Sequence, residues 1–260
     1  MDGRMRIFFM GATKFGLRCL RAAIECNQTI VGCTSTPPVF KISYAPEGVK
    51  NVNYVDLVEV AKELGVPCIP YDRKNVLGFA SEVAKLRPDV LLVAGWYYMV
   101  PSSLRSVAPL GAIGLHGSLL PKYRGGAPLV WAIMNGEREA GLTLFHLEDV
   151  ADAGDIIGQE KFPIGPDDTI ADALARTDQA AERLLKRYLP LLAENRAPRI
   201  PQNHADATKF PQRKPEDGQI DWSKSPEETR NFIRAQTRPY PGAFTYIQGK
   251  KVTIWDATIE

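Results

Sequence analysis

His116 and Asp152 are the two residues whose types and positions best suit acid–base chemistry. His116 ends an apolar run, residues 112–116, and a loop rich in Gly and Pro follows at once, so we expect its imidazole to face a crevice. Asp152 lies in a turn-like segment, residues 149–155, where aspartates often make purely local hydrogen bonds. The combination is informative, because a carboxylate beside an imidazole can hold its orientation and help to move the proton of an amine.

Other kinds of catalytic site find little support. We interpret His146, inside an apolar run, and His204, in a Pro-rich stretch, as structural residues, and neither has metal-site spacing with His116. We assign no chemistry to the four scattered cysteines, Cys19, Cys26, Cys33 and Cys68. No Ser or Cys stands in a Gly-flanked elbow, and residues 11–16 lack the glycine spacing of a dinucleotide or phosphate loop. We therefore expect no metal and no covalent, NAD-dependent or phosphoryl-transfer chemistry.

The elements that must position these residues alternate between strands and helices. Strand patterns cover residues 5–10, 29–35, 66–69, 89–94, 112–116, 142–147 and 155–162, and helical patterns cover 15–24, 55–64, 76–86, 129–134 and 169–192. This alternation predicts a doubly wound, mostly parallel α/β sheet. In such sheets ligands bind outside the carboxyl ends of strands, so we expect the ligand near residues 95–101 and 118–128.

The C-terminal part of the chain changes in composition. Residues 194–215 are rich in Pro, Asn, Arg and Lys, which predicts a linker of about 20 residues. A helix near 226–235 and a hairpin of strands 243–247 and 251–255 follow. We predict a larger domain, residues 1–200, and a small α+β domain, residues 201–260, that packs on the first domain or on a second subunit of a homodimer.

Composition and charge restrict the class of partner. The 260 residues are 45% hydrophobic and 24% charged, as in an ordinary soluble protein, and the net charge of +2 is too small to argue for a nucleic-acid partner. The sequence contains no apolar stretch of the length of a signal peptide or membrane span. We expect a cytoplasmic protein with neither a nucleic-acid nor a membrane partner.

Several separate motifs resemble those of the 10-formyltetrahydrofolate-dependent formyltransferases. They are HGSLLP at 116–121, DAGD at 152–155, GWYYMVP at 95–101 and RPYPGAF at 238–244, and the resemblance covers most of the chain. It implies a Rossmann-like domain that holds 10-formyltetrahydrofolate and direct transfer of the formyl group to an amine. It also implies that His116 assists proton transfer and supports the tetrahedral intermediate, and that Asp152 tunes this histidine.

The same resemblance implies which residues hold the donor. Backbone groups of two loops hold the pterin end, and a third segment flanks the folate. The residues are Tyr98, Met99 and Val100 in the first loop, Glu148, Asp149, Val150 and Ala151 in the second, and Ser118, Leu119, Leu120 and Pro121 in the third segment.

Gly114 departs from the pattern of the family. The resembling enzymes carry an asparagine two residues before the histidine, where its amide polarises the formyl oxygen, but this chain carries glycine. Loss of one such donor costs about a hundred- to a thousand-fold in turnover when nothing replaces it. Three explanations compete. Protonated His116 with backbone amides or water suffices for catalysis, another side chain substitutes for the asparagine, or the protein binds folate without efficient catalysis. We favour the first explanation.

The amine acceptor is the second open question. The C-terminal segment argues against glycinamide ribonucleotide, and the loop at 36–44, with little positive charge, argues against methionyl-tRNA. The motifs look like those of bacterial sugar N-formyltransferases, which act on UDP-, dTDP- or GDP-linked amino sugars for surface polysaccharides such as lipopolysaccharide O-antigen. The residues that could contact such a substrate are Lys122, Tyr123, Arg124, Trp131 and Tyr240. The alternatives are a methionyl-tRNA formyltransferase and a catalytically weak folate-binding module.

Overall fold

A computed structural model describes residues 4–42, 45–51 and 53–260, and its main feature is a six-stranded sheet in the order β2-β1-β5-β6-β8-β9. β1 pairs in parallel with β2 and β5, and β5 pairs in parallel with β6. The six strands are β1 (Arg6–Met10), β2 (Thr29–Thr34), β5 (Val90–Val93), β6 (Ala112–His116), β8 (Glu139–His146) and β9 (Ile156–Pro163). The prediction of a doubly wound, mostly parallel sheet is confirmed.

Three strand pairs lie outside this sheet, and seven helices are described. The pairs are β3 (Val39–Ile42) with β4 (Ala45–Lys50), β7 (Arg124–Gly125) with β10 (Lys209–Phe210), and β11 (Ala243–Ile247) with β12 (Lys250–Ile254). The helices are α1 (Lys14–Glu25), α2 (Leu57–Leu64), α3 (Val76–Lys85), α4 (Ser102–Arg105), α5 (Pro128–Met134), α6 (Ile170–Ala193) and α7 (Pro226–Arg234).

The turn between β1 and α1 shows why the chain begins with this strand and helix. The hydroxyl of Thr13 accepts a hydrogen bond from the N–H of Gly16, which caps the helix. A Cβ atom at Gly16 would lie 2.6 Å from the carbonyl oxygen of Ala94, so only glycine permits this approach of the helix to the end of β5. Cys19 and Leu20 then face the core.

Two compact units divide the described chain. The first consists of residues up to 116, 144–158 and 181–202. Its core includes Phe8, Leu91, Val93 and Val83, all nearly inaccessible to solvent, because β1 and β5 are covered on both faces. The predicted strand at 66–69 is reduced to a single bridge, in which Cys68 pairs with Cys33 of β2.

The second unit consists of residues 117–143, 159–180 and 203–260. Ser225 begins α7 with a capping box, in which its hydroxyl accepts from the N–H of Glu228 and the Glu228 carboxylate accepts from its N–H. The small core under the C-terminal hairpin contains Ile220, Ile233 and Ala243. The units interleave along the sequence, and the division into domains 1–200 and 201–260 stays a prediction.

Two sequence expectations differ from the structure in detail. The segment 194–215 contains regular structure, namely the short strand β10 and 3₁₀ turns at His204–Asp206 and Pro215–Gly218. The loop at 36–44 includes all of β3, while residues 43 and 44 lie outside the described part of the chain. Among the described residues, no helix combines the length and apolar character that a membrane span requires.

Candidate active site

The imidazole of His116 lies beside the carboxylate of Asp152 in the first unit. Nδ1 of His116 is 3.5 Å from Oδ1 of Asp152, and the two side chains are 10% and 19% exposed. His116 is the last residue of β6, a strand with a largely buried face, so the strand fixes where the imidazole begins. Both side chains are therefore largely buried but keep a small exposed surface, through which a small-molecule substrate can reach a group that transfers a proton.

The loop that carries Asp152 has its shape fixed by hydrogen bonds and a close contact. Nε2 of Gln202, a residue that is only 6% exposed, donates to the carbonyl oxygens of Asp152 (2.9 Å) and Gly154 (2.7 Å). A Cβ atom at Gly154 would lie 1.9 Å from the carbonyl oxygen of His146, so no other residue fits there. Asp152 itself has a φ of 58°, a left-handed conformation that aspartate tolerates better than most residues.

The first loop assigned to the folate, which we call the 98–100 segment, follows β5. The ring of Tyr98 stacks on that of Tyr71 at 6.0 Å, and the guanidinium of Arg73 lies 4.3 Å from the Tyr98 centroid. Met99 is 53% exposed, whereas Val100 is buried. The segment therefore presents one exposed apolar side chain between two packed residues.

The second loop, which we call the 148–151 loop, is exposed at all four residues. Arg105 connects it to the 98–100 segment. Nη1 of Arg105 donates to the carbonyl oxygen of Val100 and Nη2 donates to Oδ1 of Asp149, both at 2.6 Å. Sequence reasoning did not select Arg105, because an arginine in a short helix gives no signal of its partners.

A cavity of about 490 Å³ lies in the first unit, at the amino end of β6. Its wall includes Ala112, Arg105 and Leu147, so it adjoins the 148–151 loop, which begins one residue after Leu147. His116 lies at the opposite, carboxyl end of the strand. The volume is within the range of about 300–1,000 Å³ that is typical of small-molecule pockets.

The segment Ser118–Pro121 is held by a buried hydroxyl in the second unit. Thr143 is fully buried, and its Oγ1 donates to the carbonyl oxygen of Ser118 (2.6 Å) and accepts from the N–H of Leu120 (3.1 Å). Nε2 of Gln159 donates both to Thr143 Oγ1 (3.0 Å) and to the carbonyl oxygen of Leu120 (2.8 Å). One donor and two acceptor positions use the full capacity of the hydroxyl, which fixes the backbone of this segment.

Two of the residues predicted to contact the acceptor pack on the strand β10. The ring of Tyr123 stacks on Phe210 with centroids 4.8 Å apart, and Trp131 lies 5.2 Å from the same ring. The Tyr123 hydroxyl donates to Glu137 at 2.7 Å, and burial is the main reason that its pKa rises to about 12. Sequence analysis did not select Phe210, because it lies in the stretch predicted to be a linker.

The other three candidates for acceptor binding also belong to the second unit. The carbonyl oxygen of Lys122 accepts from the Ser118 hydroxyl at 2.6 Å. A guanidinium nitrogen of Arg124 lies 2.9 Å from Nδ1 of His204. Burial raises the pKa of the Tyr240 hydroxyl. Their roles toward a substrate stay predictions.

His146 is partly buried in β8, and its structural role stays a prediction. Burial, followed by the nearby Arg199, lowers the pKa of the His146 imidazole, and the backbone N–H of His146 donates to the carbonyl oxygen of Asp155 at 2.9 Å. Within residues 4–42, 45–51 and 53–260, no three His, Cys, Asp or Glu residues are grouped as a metal site.

The neighbours of Gly114 leave little space for a larger side chain at this position. A Cβ atom on Gly114 would lie 2.9 Å from Cδ2 of Leu147 and 3.4 Å from the carbonyl oxygen of Val93. Leu147 thus fills the space into which an asparagine at 114 would extend. An asparagine at 114 would therefore require the side chain of Leu147 to move.

Solved structures, among them two N-formyltransferases, share this fold. A sugar N-formyltransferase from Shewanella sp. has a TM-score of 0.72 and 17% identity, with 98% of this chain and 99% of that chain covered. An N-formyltransferase from Helicobacter canadensis, in complex with folinic acid and dTDP-3-aminofucose, has a TM-score of 0.71 and 20% identity over 98% and 87%. A HypX variant from Aquifex aeolicus has a TM-score of 0.70 and 18% identity. The match covers 97% of this chain but only 38% of the HypX chain.

Sequence families identify the chain more directly than these distant structures. Residues 70–189, which include His116 and Asp152, match the family described as formyl transferase. Residues 213–260 match the family described as formyl transferase, C-terminal domain. Together the two matches cover well over half of the chain and follow one another in the order expected for a single enzyme. The chain therefore belongs to the formyltransferase family and is an enzyme of that class.

Proposed function

We propose that this formyltransferase transfers the formyl group of 10-formyltetrahydrofolate to the amino group of a UDP-, dTDP- or GDP-linked amino sugar. The observation that carries the proposal is the contact of His116 with Asp152 at the carboxyl end of β6, on a loop that Gln202 anchors. The reaction takes place in the cytoplasm and supplies a formylated sugar for surface polysaccharide.

The chemistry needs one proton acceptor and one group that orients it. The uncharged amine attacks the formyl carbon, a new N–C bond forms, and the carbonyl becomes an oxyanion. His116 accepts the proton that leaves the amine, and a proton passes to N10 of the folate as the N10–C bond breaks. Asp152 holds the imidazole and stabilises the imidazolium that forms in between.

The donor is a substrate that is consumed in each turnover. We assign its pterin end to the 98–100 segment and the 148–151 loop, which Arg105 joins. Backbone groups of these irregular segments can supply the donors and acceptors that a bicyclic ring requires. Ser118–Pro121, with its backbone fixed by Thr143, is the third proposed donor contact.

The acceptor must be selected by groups other than the catalytic pair, since several amines suit the same pair of catalytic groups. The half-exposed aromatic group of Tyr123, Trp131 and Phe210, together with Arg124, offers a flat face and positive charge of the kind that a nucleotide base and diphosphate require. The small net charge of +2 gives little support to tRNA. Methionyl-tRNA remains the second candidate acceptor.

A panel of acceptors tests the proposed function. The purified chain is incubated with 10-formyltetrahydrofolate and with UDP-, dTDP- or GDP-linked amino sugars, and mass spectrometry follows the products. We expect at least one sugar to gain the mass of one formyl group. Formylation of methionyl-tRNA with no sugar modified would replace the acceptor, and no transfer to either class would favour a folate-binding module.

Variants of the catalytic pair test the mechanism. His116→Gln and Asp152→Asn should each lower kcat by about 10²- to 10⁴-fold, because each removes or misorients the group that accepts the proton. Donor binding, measured by tryptophan fluorescence, should stay within a few-fold of the unaltered chain. Asp221→Asn is the matched control, since the Asp221 carboxylate accepts only local bonds from Ser223 in the second unit. Near-normal turnover of either catalytic variant would rule out this mechanism.

Substitutions at Gly114 test how the site manages without the usual amide. Gly114→Asn alone should lower kcat several-fold, because its side chain would overlap Leu147. The double variant Gly114→Asn with Leu147→Ala should recover turnover relative to Gly114→Asn, since the space for the amide is restored. The control is Leu147→Ala alone. If Gly114→Asn were as active as the unaltered chain, Leu147 would not be limiting the site.

We also propose that the chain forms a homodimer through the β11–β12 hairpin. Tyr246, Ile247, Val252 and Trp255 are between 37% and 57% exposed on this hairpin, which leaves an apolar surface and a strand edge for a second copy. Sedimentation equilibrium should give twice the monomer mass, and Ile247→Lys should shift it toward the monomer. A monomer at micromolar concentration would contradict this assembly.

A further inference from the structure

Arg105 makes two hydrogen bonds that connect parts of the chain far apart in sequence. Nη1 donates to the carbonyl oxygen of Val100 and Nη2 donates to Oδ1 of Asp149, each at 2.6 Å. Asp149 is 44 residues further along the chain. The guanidinium therefore joins the 98–100 segment to the 148–151 loop, the two parts of the first unit that we assign to the formyl donor.

The two partners of Arg105 differ in how firmly the fold holds them. Val100 is only 4% exposed, and its carbonyl lies next to α4, so its position is set by the core. The Asp149 side chain is 77% exposed, whereas that of Arg105 is 13% exposed. A largely buried side chain on α4 thus contacts an exposed loop. Because the planar fork has a fixed spacing of donors, it fixes the distance between the carbonyl and the carboxylate.

The other end of the same loop has a separate anchor. Gln202 donates to the carbonyl oxygens of Asp152 and Gly154, and neither of these bonds involves Arg105. The loop is therefore held on its donor side at Asp149 and on its catalytic side at Asp152. Removal of one anchor leaves the other in place, so the two contacts should affect different kinetic constants.

We propose that Arg105 is a positioning residue for the formyl donor, which sets the separation of the 98–100 segment and the 148–151 loop. Resting on the proposed function, this inference assigns to Arg105 the affinity for the donor and to Gln202 the orientation of Asp152 toward His116. An uncharged side chain at 105 leaves the 148–151 loop without its tether to Val100, and the donor must then order the loop when it binds.

Steady-state kinetics with Arg105→Met test this division of roles between Arg105 and Gln202. The KM for 10-formyltetrahydrofolate should rise on the order of 10- to 100-fold, the loss typical of a charge-assisted hydrogen bond, while kcat at saturating donor and the KM for the amine change little. Arg105→Lys keeps the positive charge but loses the planar pair of donors, so its KM for the donor should lie between those of the unaltered chain and Arg105→Met. Gln202→Leu should show the opposite pattern, with a lower kcat and a donor KM near that of the unaltered chain.

Amide hydrogen exchange of the unliganded protein provides a readout that does not depend on activity. Arg105→Met should exchange faster in peptides that cover the 98–100 segment and the 148–151 loop, and Asp149→Ala should accelerate the 148–151 loop. The combined variant should exchange no faster in that loop than Arg105→Met alone, because both substitutions remove one contact. Arg196→Met, which breaks an exposed ion pair with Glu194, is the matched control and should change neither loop.

Two outcomes overturn the inference. A donor KM within about twofold of the unaltered chain for a folded Arg105→Met protein, or unchanged exchange in the 148–151 loop, would show that Arg105 does not position the loop. If the unaltered chain transfers no formyl group to any amine, the proposed function fails, and the exchange comparison still decides whether Arg105 holds the loop. Circular dichroism of each variant establishes that the fold is retained.

Discussion

The chemistry that we propose for this protein depends on one constraint, the position of an irregular loop relative to the end of a buried strand. β6 places His116 rigidly, because its neighbours in the sheet are packed on both faces. Asp152 has no such support from a regular element, and its left-handed conformation would not persist alone. The two hydrogen bonds from buried Gln202 and the glycine contact at position 154 hold the carboxylate 3.5 Å from the imidazole.

Polar side chains anchor two further loops in the same way, one in each unit. Thr143 and Gln159 fix Ser118–Pro121 in the second unit, and Arg105 fixes the 148–151 loop in the first. In every case a buried or nearly buried polar side chain on or beside a regular element satisfies backbone or carboxylate groups of a loop. The bonds of Thr143 are shielded from water, so an unpaired partner there would be costly, whereas the exposed carboxylate of Asp149 leaves its bond to Arg105 open to competition from water. Preorganisation of the loops therefore comes from the core and not from the loops themselves.

Sequence reasoning predicted the parts of this design that follow from local pattern. The strand Ala112–His116 and the hairpin strand Ala243–Ile247 were predicted with their observed bounds, and α6 differs by one residue at each end. The residues that anchor the loops were not predicted. Gln202 and Phe210 lie in the stretch predicted to be a linker, and Thr143 lies inside an apolar strand. Gln202 bonds to a residue 48 positions away and Thr143 to a residue 25 positions away, so local composition gave no sign of these partners. Long-range pairing is set by tertiary packing, which periodicity does not report.

Gly114 shows how the two kinds of information combine. From the sequence alone, the glycine reads as a deletion of the amide that the resembling enzymes use to polarise the formyl oxygen. The structure places Cδ2 of Leu147 only 2.9 Å from the position of a Cβ atom at 114, so an asparagine there would require Leu147 to move. Because this contact involves the far end of a flexible side chain, whether position 114 accepts an amide depends on how readily Leu147 adopts another rotamer. Positions 114 and 147 are therefore coupled through packing, and the sequence, which shows the glycine without its spatial neighbour, could not report that coupling.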